Sequence, residues 1–414
     1  REPSTSILNR YSANWGSKPV LPQRQSLCAG SAIERNGHGG AQHYVICPLP
    51  RAGAVGMGIK MRPGSHATVG TATSAGELTM AGVQVGKRII GADAPVIVGW
   101  DNIGRVEGGP IKQFVFTWFQ PAMLLAAILF WYYAPNWIAV ASTAIAIRLG
   151  WTILLLVLEW INPRYESWQL TWKEFATDAF YVWLGMTFIG MMESYIGDGA
   201  IIAAVQGAFD WDKFAWFTGL PLLVQAVLIS MIFDFGQYWM HRGMHNWYPL
   251  WLTHAPHHYI TQLNVNKGAV GNPVELFLIG LGIGGLFDFL PRAFLLAGAI
   301  GMTVAVYQHI NVRFNTPRWW RFIFNTVEHH SVHHSQDYEA TRSNYSGTWI
   351  IWDRIFGTCV DGEAEVLGME GGRRMDIGET MVFPFREGWR SARAAWKRRL
   401  NSREVLAPQL EPAE

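Results

Sequence analysis

Four stretches of this chain stay apolar for the length of a membrane crossing, and that limits the fold more than any other feature. They run from about Phe114 to Ala134, Trp137 to Trp160, Phe175 to Met192 and Phe217 to Met240. A helix needs about 20 predominantly apolar residues to cross a bilayer, where every backbone polar group must be satisfied inside the segment. An apolar amphipathic stretch follows the third run as far as Phe209. Two shorter runs, Val274–Leu290 and Phe294–Gln308, are split by Pro291-Arg292 and form either two short crossings or a re-entrant hairpin. Trp118, Trp131, Trp137, Trp160, Trp216 and Trp239 fall near segment ends, where interfacial aromatics belong. The expected fold class is an all-α integral membrane protein with four to six transmembrane helices.

Composition agrees. Charged residues make up 15% of the chain, against about 25% in soluble proteins. Mean hydropathy reaches only +0.10 because polar ends dilute an apolar middle. A net charge of +2, with no basic stripe carrying interleaved aromatics, speaks against a nucleic-acid partner. Cys28, Cys47 and Cys359 form no C-x2-C pair, so neither a disulfide framework nor a thiolate zinc site is expected. The functional side is expected to face a reducing compartment.

Residues 1–99 are rich in Gly, Ser, Ala and Arg and hold one tryptophan, Trp15, of the 21. They read as a disordered or weakly ordered extension without a secretory signal. Met61 and Met80 offer alternative starts, under which residues upstream would not be native coding sequence. Residues 100–210 hold the N-terminal transmembrane helices, 211–385 the catalytic domain, and 386–414 a basic amphipathic tail. Lys87, Arg88, Arg105 and Lys112 precede the first run, which places that side in the cytoplasm by the positive-inside rule. Two hairpins then return the chain to the same side at Arg164/Lys173 and at His241. The tail, with Arg386, Arg390, Arg393, Lys397, Arg398, Arg399 and Arg403, fits that face as well.

Ten of the thirteen histidines lie between His241 and His334. His241 and His245 are four apart, as are His254 and His258, and His330 and His334; His257 and His333 sit three after His254 and His330. Offsets of three and four place side chains on one helical face. Three short helical pieces, each offering two or three imidazoles, can enclose a pair of metal ions. Imidazole suits iron, copper, zinc and nickel and is largely neutral near pH 7. The scarcity of cysteine excludes an iron–sulfur cluster, and one catalytic zinc takes only three protein ligands. The number suits two irons (Fe2+/Fe3+) with O2 as co-substrate. A lone histidine near a membrane interface is more often structural, but three regular groups on one side are not a chance pattern. Asp234, seven residues before His241 on the same face, is expected to pair with an imidazole N–H, and Glu275 to do likewise.

At these residues the chain resembles the fatty acid hydroxylase/sterol desaturase superfamily of membrane histidine-box di-iron oxygenases, over about Leu155 to Phe385. One block runs from Asp234 through His241-Arg-Gly-Met-His245 to His254-Ala-Pro-His257-His258. The other runs from His330-Ser-Val-His333-His334 through Asn344-Tyr345-Ser346-Gly347 to Trp352-Asp353-Arg354-Ile355-Phe356-Gly357-Thr358. The resemblance implies that His241, His245, His254, His257, His258, His330, His333 and His334 hold the metals in a cytoplasmic helical cap. His309 matches a position occupied by histidine in many members and adds a ninth ligand. The box is complete without His329, which is placed around the ligands with Asp234, Glu275 and Asn311. Two departures stand out: Asn246 where some members carry glutamate, and Asn272 where many carry histidine.

The activity implied is O2-dependent oxidation of a lipid C–H bond, with no catalytic side chain beyond the metal ligands. Hydroxylation of a fatty acyl, sterol or related membrane lipid leads; sterol-type desaturation on the same site is the alternative. A non-enzymatic metal-binding or transport protein would instead line a path through the membrane with histidines. No haem-binding His-Pro-Gly-Gly, P-loop or dinucleotide fingerprint is present, so a separate electron donor is expected: a cytochrome, a ferredoxin or a flavin reductase. The stretch Trp389–Leu400 suits an anionic membrane surface, or an acidic donor, or a solvated basic tail. A bacterial inner membrane fits better than the endoplasmic reticulum.

Overall fold

A computed structural model of the chain describes residues 105–192, 195, 215–280, 291–369 and 372–406, together with short strands between residues 32 and 98. The expectation for 1–99 falls almost wholly outside these residues. So do most of the amphipathic stretch before Phe209 and the second half of Val274–Leu290.

Among the described residues, four helices are long and apolar enough to cross a membrane. These are α1 (Pro110–Tyr133), α2 (Ala141–Ile161), α3 (Trp172–Leu184) and α4 (Leu222–Asn246). A π turn over Gly185–Ile189 and a last turn to Met192 extend α3. Local sequence sets their ends. Pro110 opens α1 where a missing N–H costs nothing, and Pro135 follows the residue that closes it. Thr171 caps α3 by accepting from Glu174 N at 3.3 Å. Large apolar side chains stay exposed along these helices, including Trp160 at 82% and Trp172 at 85%. In water such surface would be unfavourable by about 25 cal/mol per Å²; against lipid it is not. The chain is a membrane protein.

Contacts at the helix ends show which way the spans run. Asn315 accepts Val106 N at 2.8 Å and donates its own N–H to Phe116 O, near the start of α1. Asn162, at the end of α2, donates to Arg313 O at 2.9 Å. Lys267 reaches Glu174 and Asp178, near the start of α3, at 2.8 and 2.6 Å. The last turns of α4 carry His241 and His245. Successive spans therefore alternate in direction, and one face of the bundle carries the cap.

Shorter helices complete the fold: α5 (Tyr248–His254), α6 (Pro273–Gly280) and α7 (Pro291–Ala305), then α8 (Arg318–Ile323), α9 (Val327–His333) and α10 (Ile351–Ile355), and the cap is built mainly from α5, α8, α9 and α10. The long α11 (Ile377–Leu406) follows. Helix α7 packs between α1 and α4, and Ala293, Ala297 and Ala299 are the small residues that allow the approach. Trp131 departs from expectation: it is buried in this contact rather than facing an interface, and its carbonyl accepts from Arg292. A second apolar cluster joins Leu155 of α2, Trp168 just before α3 and Tyr181 of α3 to Ile310, Val312, Phe314 and Val332. The described strands are short pairs, such as Val96–Val98 against Gly362–Ala364. The class is all-α in substance.

Candidate metal centre

Helix α4 ends with His241 and His245 on one face, four residues apart. The Trp247 break turns the chain into α5, which ends at His254 and continues as a 3-10 turn, Ala255–Tyr259, carrying His257 and His258. His309 follows a second 3-10 turn, Val306–Gln308. Helix α9 carries His330 and His333, with His334 as its C-cap. Four elements thus meet through imidazoles, the first two consecutive and the others more than fifty residues further on.

The nine side chains form two adjoining groups. One contains His241, His245, His254, His258 and His333; the other contains His257, His309, His330 and His334. Within each group the ligand nitrogens lie within 4.8 Å of one another. The groups abut, with the His258 and His334 rings stacked at 4.6 Å and His254 and His257 at 5.4 Å. The i,i+4 pairs 241/245, 254/258 and 330/334 each stay together, while His257 and His333 cross to the other group. All but His241 are buried.

Hydrogen bonds on the outer nitrogens fix which atom faces inward. Nδ1 of His241 meets Tyr345 O at 2.7 Å, and Nδ1 of His257 meets Val270 O at 2.6 Å. Nδ1 of His333 meets Ser343 O at 2.7 Å, and Nδ1 of His254 meets Glu275 Oε1 at 2.6 Å. An acceptor at Nδ1 requires the proton there, which leaves a lone pair on Nε2. His241 Nε2 and His254 Nε2 then stand 3.0 Å apart, lone pair to lone pair. Nε2 of His333 is buried and has no hydrogen-bond partner among the described residues. Such an arrangement is repulsive unless a cation sits among the nitrogens. Donors about 2.1 Å from a shared ion stand about 3 Å apart when adjacent, so the spacing fits a metal. Burial holds the imidazoles of His257, His258, His309, His330 and His334 below their usual range, and His254 down to about 3. They are neutral donors at pH 7.

The loop after α9 explains the flanking motifs. Asn344 takes a left-handed φ of 52°, a conformation asparagine tolerates, and donates to His329 O and Val360 O at 2.8 and 2.9 Å. Asp353 receives Tyr345 N, Ser346 N, Ser346 Oγ and Thr358 Oγ1, all within 2.9 Å. Asp234 receives Thr348 N and Trp349 N at 2.7 and 2.8 Å. Gly347 passes so close that an added Cβ would stand 2.8 Å from Gln237 Oε1 and 3.2 Å from Asp234 Oδ1. These bonds hold the Ser343 and Tyr345 carbonyls against His333 and His241.

Several expected placements are corrected. Asp234 meets no imidazole; it clasps the loop instead, because α4 presents it to the backbone amides of 348–349. Asn311 lies among the connections below α2, where its side chain binds Arg164 N, Tyr165 N and Tyr165 O. His329 stands outside both groups and pairs with Asp361 at 3.2 Å. His329, Cys359 and Asp361 do converge, but Arg354 already supplies a cation to Asp361 at 2.7 Å. Asn272 accepts Val274 N and donates to Thr380 O, closing the start of α6. Asn246 is exposed and bonded to Arg342. Sequence reasoning missed the Val270, Ser343 and Tyr345 carbonyls, which carry no side-chain signal. The Asn344 and Asp353 motifs did signal the loop.

The sequence pattern of the fatty acid hydroxylase family matches residues 226–358, the span from α4 through the loop after α10. An ornithine lipid hydroxylase of Rhizobium tropici is 30% identical over 219 residues, covering 51% of this chain and 65% of that protein. The human alkylglycerol monooxygenase is 30% identical over 126 residues, 30% of this chain and 28% of that protein. A sphinganine C4-monooxygenase of Arabidopsis thaliana is 30% identical over 154 residues, 36% of this chain and 58% of that protein. The chain thus spans less than two thirds of each of these relatives. No solved structure matches it. The histidine groups, their bracing loop and the matched segment all fall on the same residues, so residues 226–358 form a fatty acid hydroxylase domain, similar to those of lipid hydroxylases and monooxygenases.

Proposed function

We propose that the chain is a membrane di-iron monooxygenase that hydroxylates a lipid C–H bond. The observation carrying this reading is the pair of adjoining all-imidazole groups, five and four strong, with nitrogens at metal-ligand spacing. His241, His245, His254, His258 and His333 would hold one iron; His257, His309, His330 and His334 would hold the other. The irons would supply activation of O2: one oxygen atom enters the C–H bond as hydroxyl, and the other leaves as water. Two electrons from a separate cytochrome, ferredoxin or flavin reductase and two protons balance the reaction.

The chain's own residues orient and protect this centre. Glu275 and the three carbonyls hold four imidazoles with Nε2 inward. Burial excludes water from the nitrogens. His241, the half-buried member of its group, marks the side from which a substrate carbon would approach. The relatives described above bear the names hydroxylase or monooxygenase, which favours an alcohol product over an alkene. The catalytic unit is taken as 211–385, on spans from 100–210, with the cap on the cytoplasmic face of a bacterial inner membrane.

Expression in a bacterial host followed by lipid mass spectrometry tests this. A lipid class gaining one oxygen, lost in His257→Ala and His333→Ala, is the expected result. An unaltered lipid profile, or a loss of two hydrogens without oxygen gain, would count against it.

A further inference from the structure

Helix α11 carries an apolar stripe that faces away from the protein. Val382, Phe385, Trp389, Trp396 and Leu400 are spaced by three, four, seven and four residues, which gathers them within roughly 60° of the helix circumference. All five are exposed, Trp389 at 70% and Trp396 at 62%. The opposite side is the packed one. Thr380, Phe383 and Glu387 are buried, Phe383 meets Tyr259, and Tyr248 and Ser391 share a hydroxyl contact at 2.5 Å. Arg386, Arg390, Arg393 and Lys397 flank the stripe along one edge, and Arg399 along the other. Seven basic residues lie between 386 and 403, against Glu387 alone, which is paired with Arg386 and Arg390.

The packed side sits on α5, which begins two residues after the span α4 ends. Packed helices lie about 8–10 Å apart, so α11 lies one packing distance from the element that follows α4 out of the membrane boundary. We propose that α11 lies in the plane of that boundary, its Val382–Leu400 stripe among acyl chains and its basic edges on anionic lipid headgroups. Aromatic and aliphatic side chains between arginines are the signature of an interfacial helix. A soluble acidic partner would match the charges but would leave the five apolar side chains without a comparable environment. The helix would then fix the cap, through α5, at a constant height above the bilayer.

Depth measurement on the full chain tests this. Cys28, Cys47 and Cys359 are replaced by alanine, and nitroxide labels are placed singly at 389, 396, 390 and 394 in nanodiscs. The discs hold phosphatidylcholine alone or with phosphatidylglycerol, and metal content serves as the check of folding. The expected result is an oxygen-to-nickel-chelate accessibility ratio about threefold higher at 389 and 396 than at 390 and 394. The contrast should grow with anionic lipid and shrink when Arg393, Lys397 and Arg398 become glutamine. Equal nickel access at all four positions, as for a solvated tail, would overturn the proposal. So would protection of 389 and 396 from both reagents, which signals a protein contact.

Discussion

Nδ1 of His254 lies 2.6 Å from Oε1 of Glu275, and both are buried. The carboxyl fixes the imidazole orientation; burial raises its pKa to about 8 in the metal-free protein, and a bound cation would favour its charged form. Glu275→Ala should weaken metal binding by about 10- to 100-fold, with Glu275→Gln intermediate because its amide oxygen still accepts. Metal titration of stripped protein reads both. Equal affinity in all three forms would show that the pair does not orient the ligand.

The ring of nine excludes His329. His329→Ala should keep full metal content and lose some stability, since Asp361 retains Arg354. His330→Ala should lose metal, because its Nε2 stands 2.9 Å from that of His309 inside the second group. Elemental analysis of the two variants side by side separates neighbours that the sequence alone cannot rank. Metal loss in both, to the same degree, would contradict the partition.

Asp353 is fully buried and receives four donors of the loop. Asp353→Ala leaves them unpartnered, and a single buried polar group without a partner costs about 1–3 kcal/mol. A loss of at least about 3 kcal/mol is expected, seen as a lowered Tm in detergent, with metal lost through His241 and His333. A stable variant that still holds metal would mean the carbonyls of Ser343 and Tyr345 stand without this brace.

The metal-free protein should be acid-sensitive. Burial lowers the folded pKa of His254 to about 3, while an unfolded histidine titrates near 6.5. Between those values the unfolded chain binds protons that the fold does not, so stability falls as pH drops through that window and is level above it. Glu275, raised by burial to about 8, works the other way between pH 8 and 4.5. His257, His258, His309, His330 and His334 are lowered as His254 is and outnumber it, so thermal melts of metal-stripped protein should decline below about 6.5. A melt that is constant down to pH 5 would show that the imidazoles are not buried neutral.

The spans and the histidines were legible in the sequence for one reason: both are written in spacing. Apolar runs of membrane length became α1 to α4, and the helix carrying the fourth run extends far enough to present His241 and His245. The partition into two groups was not legible. An offset of three and an offset of four lie on opposite sides of a helical line, so His257 and His333 depart from their neighbours, and only the meeting of α4, α5 and α9 decides where they go. Backbone acceptors were equally invisible, since any residue could stand at 270, 343 or 345. Asp234 misled for a related reason. Its place in α4 was right, but its partner is a backbone segment more than a hundred residues away.

The central claim is that the imidazole groups hold two irons. Elemental analysis of the full chain, purified in detergent without chelator and with iron supplied, tests it most directly. The account predicts about two irons per chain, falling together with the protein's thermal stability when His258 or His334 is replaced. A metal content near zero, or a stoichiometry unchanged by those substitutions, would contradict it.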